Sequence, residues 1–112
     1  MLREFTDEVI GQIVRIIVES LDPDQIVLFG SRARGTAGPH SDVDLLIVDS
    51  GKPADNRSRK EKLTTLWRLL SQLRMPFDLL LFSGDEMEKW RGSRYHIIGT
   101  ALREGRLIYE RT

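Results

Sequence analysis

The residues Gly30-Ser31-Arg32-Ala33-Arg34-Gly35-Thr36-Ala37-Gly38-Pro39-His40-Ser41-Asp42-Val43-Asp44-Leu45-Leu46-Ile47-Val48 read as a strand end, a glycine-bounded loop, a turn and a new strand. Apolar Ile26, Val27, Leu28 and Phe29 run straight into Gly30-Ser31, as a buried strand does when it meets a turn. Glycine there lets a ligand approach the backbone, and Ser31 offers a hydroxyl and an N–H. Arg32 and Arg34 add charge that suits phosphate oxygens. Gly35, Gly38 and Pro39 then reverse the chain.

The strand expected from Asp42 to Val48 opens with two carboxylates. Side chains at i and i+2 share one face of a strand, so Asp42 and Asp44 sit side by side. Like charges that close repel unless a cation lies between them. Hard oxygen donors of this kind suit Mg²⁺, which takes one or two carboxylates and completes its shell with water and substrate phosphates. A solvated strand edge explains Asp-x-Asp alone equally well, but leaves the preceding Gly-Ser-Arg loop unexplained. A phosphate-binding Walker A loop is excluded: Gly30 and Gly35 have the spacing, but Thr36 stands where lysine must be.

Outward from this stretch, Phe5, Val9, Ile10, Ile13, Val14, Ile17 and Leu21 recur with Leu2 at helical spacing, stopped by Asp22-Pro23. A first strand is expected over Gln25–Phe29. The polar run from Asp49 to Lys62 reads as a loop and exposed helical turns. Ser58 and Glu61 have capping-box spacing there, with Pro53 an alternative, earlier start. Leu63, Leu66, Trp67, Leu70 and Leu73 form an apolar stripe that places Trp67 in the core. Met75-Pro76 ends that helix. Phe77–Phe82 is the third strand, with a single charge, Asp78, that is costly to bury unpaired. Ser83 with Glu86 caps a short helix through Met87 and Trp90, which with Tyr95 read as core. A helix over Arg94–Glu104 ends at Gly105, and Leu107, Ile108 and Tyr109 form a last strand. His40 and His96 read as surface or packing residues. This alternation gives an α/β domain with a mixed sheet.

The chain has 112 residues, enough for one domain and too few for two. With 40% hydrophobic and 30% charged residues it has the balance of a soluble globular protein. Seventeen basic residues cancel seventeen acidic ones, without the basic excess of a general nucleic-acid binder. The absence of cysteine excludes disulfides and thiolate metal sites. No apolar run is long enough to span a membrane, and Met1–Asp7 carries no signal-peptide pattern, so a cytoplasmic protein is expected.

Gly30-Ser31, a ten-residue gap and Asp42-Val43-Asp44, with the wording Gly-Ser-Arg-Ala-Arg-Gly, resemble the signature of the minimal nucleotidyltransferases. These form a branch of the polymerase-beta-type nucleotidyltransferase superfamily. The resemblance implies a single nucleotidyltransferase domain over residues 1–112, a mixed four-stranded sheet with helices packed against it. It implies that Asp42, Asp44 and Asp78 meet as catalytic carboxylates holding two Mg²⁺ ions. ATP would be the substrate, with Gly30 and Ser31 on its phosphates and Arg32 or Arg34 neutralising the pyrophosphate. The resemblance also implies a partner, a helical HEPN-type toxin, whose tyrosine hydroxyl would accept AMP while this chain acts as antitoxin. Two alternatives stay open: a non-catalytic binding module or nucleotide sensor, and an enzyme acting on a small molecule.

Overall fold

The computed structural model describes residues 4–50 and 55–112. The first helix, α1 (Asp7–Leu21), starts where the Thr6 hydroxyl accepts the Val9 N–H at 3.2 Å. It buries Val9, Ile13 and Ile17 at four-residue spacing. Asp22 ends it in the left-handed region, at φ 49°. Four strands follow in one sheet: β1 (Gln25–Phe29), β2 (Val43–Asp49), β3 (Phe77–Ser83) and β4 (Arg106–Glu110), in the spatial order β3-β2-β1-β4. β1 runs antiparallel to β2 and β4, whereas β2 and β3 are parallel. The sheet is therefore mixed and four-stranded, as expected. Helix α3 (Asn56–Leu70) makes the crossover that a parallel pair requires.

Both faces of the sheet are covered, which is why β2 turns from alternating to continuously apolar. Ile26, Leu28, Val43, Leu45, Ile47, Leu79 and Leu81 pack beneath α1 and α3. Val27, Phe29, Leu46 and Val48 pack against Met87 of α4 (Gly84–Trp90) and Ile98 and Ala101 of α5 (Ile97–Glu104). The capping box at α4 forms as read. Ser83 Oγ accepts the Glu86 N–H at 3.1 Å, and Glu86 Oε1 accepts the Ser83 N–H at 2.9 Å.

Four local readings are corrected. Helix α3 is capped by Asp55, whose carboxylate accepts the Ser58 N–H at 2.7 Å, so Ser58 is inside the helix. Trp67 is 48% exposed. Leu66, Leu70 and Leu73 occupy the core line, and Trp67 is rotated about 100° from Leu66. Helix α5 does end at Gly105, as expected, with that glycine extended at φ −88° and ψ 172°. Glycine is needed there because a Cβ would strike the Ala101 carbonyl and the Val27 side chain. Finally, α5 begins at Ile97, where His96 Nδ1 accepts the Ile98 N–H at 3.1 Å. His96 stacks on Trp90, 4.5 Å between ring centroids, while Tyr95 is 93% exposed rather than core. Leu2 and Pro53 lie outside the described residues. Among the described residues no helix is long and apolar enough to cross a membrane.

Candidate active site

Strand direction brings the motif together. β2 and β3 start at the same end of the sheet because they are parallel, and antiparallel β1 finishes there. Asp44 on β2 pairs in register with Phe29 on one side and Asp78 on the other. Asp44 and Asp78 therefore lie opposite one another, on the face shared with Leu46, Val48, Leu80 and Phe82. Further along, α4 and α5 cover that face. At the starting end Asp78 is exposed and Asp44 half-buried, with exposed Asp42 just ahead of β2.

Burial pushes the Asp44 carboxyl above its usual range. The charges of Asp78 and Asp42 push the same way, and the Arg34 guanidinium pulls back. Among the described residues, none of the three aspartates has an ion-pair partner. Gly30 explains how Asp44 comes so close to the backbone. Its φ is +72°, and a Cβ there would collide with the Asp44 carboxylate.

The expected loop after β1 is instead a short helix, α2 (Gly30–Arg34), ended by Gly35 at φ 77°. Arginine and alanine favour that conformation, and the Ser31 carbonyl accepts the Thr36 N–H at 3.0 Å. Ser31 is half-buried beside Gly30. The two arginines separate. Arg34, exposed, pairs through Nη1 with Glu104 Oε2 of α5 at 3.1 Å. Arg32 turns onto the protein: its Nη2 donates to the Ser41 carbonyl at 2.9 Å, and its guanidinium lies 4.9 Å from the Phe5 ring centroid. His40 is exposed, and Ser41 Oγ accepts the Gly38 N–H at 2.9 Å, both as turn residues do. Sequence reading did not single out Glu104 or mark Phe5 as a neighbour of the motif. Glu104 lies seventy positions from Arg34, and no periodic pattern links them.

Among the described residues, no three His, Cys, Asp or Glu side chains close into a ready-made metal cage. Mg²⁺ needs no such cage, since it usually keeps several waters and takes one or two carboxylates. Asp44 and its register partner Asp78 match that donor chemistry: hard oxygens, like charges and an open side. Two surface hollows of about 380 and 240 Å³ lie on α3 and between α1 and α3, and neither is lined by these aspartates. With Asp42 and Asp78 exposed and Asp44 half-buried, the carboxylates stand on an open shelf at the sheet end.

Residues 10–105 match the nucleotidyltransferase domain family. No protein of curated function matches the sequence. A toxin–antitoxin solved with AMP-PNP shares the fold at a TM-score of 0.64 and 21% identity, over 92% of this chain and 74% of that one. A mutant of the toxin–antitoxin MntA-HpeT with two aspartates changed to glutamate gives 0.63 and 19%, over 92% and 74%. Another MntA-HpeT mutant, with a tyrosine changed to alanine, gives 0.57 and 22%, over 97% and 76%. At these identities the likeness is one of fold.

Proposed function

Given that this chain belongs to the nucleotidyltransferase domain family, we propose that it transfers AMP from ATP to a hydroxyl of a partner protein. The observation that carries this reading is the register pairing of Asp44 with Asp78, beside Gly30 and without a cation partner among the described residues. Asp42, Asp44 and Asp78 would hold two Mg²⁺ ions. When bound, the metal supplies charge neutralisation at the triphosphate and lowers the pKa of the acceptor hydroxyl. The acceptor oxygen bonds to the α-phosphorus, the bond from that phosphorus to the bridging oxygen breaks, and pyrophosphate leaves. Exposed Asp78 is the carboxylate we assign to the departing hydroxyl proton. Gly30 and Ser31 would hold the β and γ phosphates. Arg34, the arginine on the open side near Asp44, would neutralise the leaving group.

We assign the acceptor to another chain, a reading supported by the toxin–antitoxin structures that share the fold. The motif and the toxin–antitoxin fold neighbours, one of them with AMP-PNP, support an antitoxin of the minimal nucleotidyltransferase branch, which we place in the cytoplasm. Its partner would be a helical HEPN-type toxin modified on a tyrosine. The lack of a ready-made metal cage among the described residues favours a second reading, a binding module without turnover. Labelled ATP and Mg²⁺ separate the two when incubated with this chain, its co-purifying partner and an Asp42→Ala, Asp44→Ala control. Label on the partner that the control loses supports transfer. No label, with partner binding retained by the control, supports the binding module.

A further inference from the structure

We propose that Arg32 is a positioning residue that fixes the turn carrying Asp42, and that Phe5 locks Arg32 in that task. The inference rests on the nucleotidyltransferase reading only where it concerns rate. Arg32 and Arg34 lie two residues apart on one short helix, yet only Arg34 is left on the open side. The Arg32 Nη2 donates at 2.9 Å to the carbonyl of Ser41, the residue directly before Asp42. Its Nε is buried without a hydrogen-bond partner among the described residues. Half-buried Arg32 cannot turn its guanidinium to a phosphate without giving up both Ser41 and the Phe5 ring, 4.9 Å away.

The turn needs such a tie. Gly35, Thr36, Gly38, Pro39 and His40 are all exposed and add little packing. Within the turn, Ser41 is hooked to Gly38 by two bonds: the Gly38 N–H donates to Ser41 Oγ at 2.9 Å, and the Ser41 N–H donates to the Gly38 carbonyl at 3.2 Å. That hook sets the shape of the turn, and the Arg32 bond sets where it stands relative to α2. Phe5 packs on the core beneath α1, so the clamp runs from the start of α1 through Arg32 to Ser41 and Asp42. Arginine is required because its planar fork can donate from an edge while its face lies on a ring, which lysine cannot do.

The test compares Arg32→Ala, Arg32→Lys, Phe5→Ala and the gentler Phe5→Leu, each confirmed folded by circular dichroism. Amide hydrogen exchange is first measured on the chain alone, without nucleotide. Faster exchange over residues 36–42 is expected in Arg32→Ala and Phe5→Ala, with α3 and β3 unchanged, and a partial effect in Phe5→Leu. Unaltered exchange in that turn would overturn the clamp, whether or not the chain is an enzyme. Transfer kinetics then read the consequence. Both alanine variants should lower kcat roughly 10- to 100-fold, the usual range for a supporting residue, with KM for ATP little changed. Arg32→Lys should remain impaired. A large rise in KM for ATP in Arg32→Ala, with Phe5→Ala like wild type, would make Arg32 a phosphate ligand and refute the proposal. Wild-type chain without transfer activity would refute the proposed function and leave the exchange result to decide the clamp.

Discussion

Where β2 and β3 end, Asp22, Asp24, Asp49 and Glu86 meet cations; where they begin, Asp42, Asp44 and Asp78 meet none among the described residues. At the far end, Arg111 donates to Asp22 at 2.9 Å, to Asp24 at 2.5 Å and to Ser50 Oγ at 2.7 Å. Lys62 meets Asp49 at 2.6 Å, and Arg59 Nη2 meets both Glu86 oxygens at 2.9 and 3.0 Å. Burial pushes the Glu86 carboxyl up, but the Ser83 N–H and Arg59 more than offset this and leave it below its usual range. Asp44 moves the other way, driven up by burial and by Asp78 and Asp42. Both ends lie on one sheet of a chain with equal numbers of acidic and basic residues. The contrast therefore follows from placement, not from any shortage of positive charge. The proposed transfer accounts for the uncompensated charge at the starting end, since proteins break their own pairing rules chiefly at functional sites.

The largest way to break that contrast is to remove a shelf carboxylate. Asp44→Ala or Asp42→Ala should cut transfer at least about 10²–10³-fold, the range for losing one preorganised electrostatic contact, with the circular dichroism spectrum unchanged. Full activity of either variant in the labelled-ATP assay would dissolve the distinction between the two ends. Next comes Gly30→Ala. It puts a side chain at φ +72° and against the Asp44 carboxylate, so transfer should fall with the aspartates intact. The strained backbone alone should lower stability by roughly 1–2 kcal/mol in a denaturant titration.

At the far end the effects should be on stability alone. Ser83→Ala removes the α4 cap, at a cost of about 1 kcal/mol by thermal melting, with transfer at the wild-type rate. The smallest effect concerns pH. The folded-state carboxyl of Asp44 lies above its ordinary value of 3.8, so folding favours its protonated form. The stabilisation this gives is fully present below 3.8 and is lost as pH rises through the folded value. Asp44→Asn should therefore gain stability over wild type across that interval, by less than about 1 kcal/mol because the group is solvent-screened. Melting temperatures from pH 3 to 7, on the order of one unit apart, read the difference.

Much of this was legible in the sequence, for identifiable reasons. β1 matches its expected span, and β2 and β3 lie within one residue of theirs, because buried strands between turn residues carry a strong local signal. The pairing of Asp44 with Asp78 rests on strand direction and register, which the family resemblance anticipated and periodicity alone does not encode. The misses are matters of local competition or long-range contact. Asp55 outcompetes Ser58 as a cap, and Trp67 sits at the edge of a stripe whose centre Leu66 and Leu70 hold. Arg32 and Arg34 look alike in the motif. Only Ser41 and Phe5 on one side and Glu104 on the other give them separate tasks.

The central claim, that the unpaired end of the sheet is a metal-dependent nucleotide site, is most directly tested by calorimetric titration of ATP into wild-type chain and Asp44→Asn. Asparagine keeps the shape of the side chain and removes its charge. Wild-type chain should bind ATP with Mg²⁺ and lose that binding when the metal is chelated, and Asp44→Asn should lose it in either condition. Equal affinity of the two proteins for ATP with Mg²⁺, or binding by wild type that ignores the metal, would contradict the account.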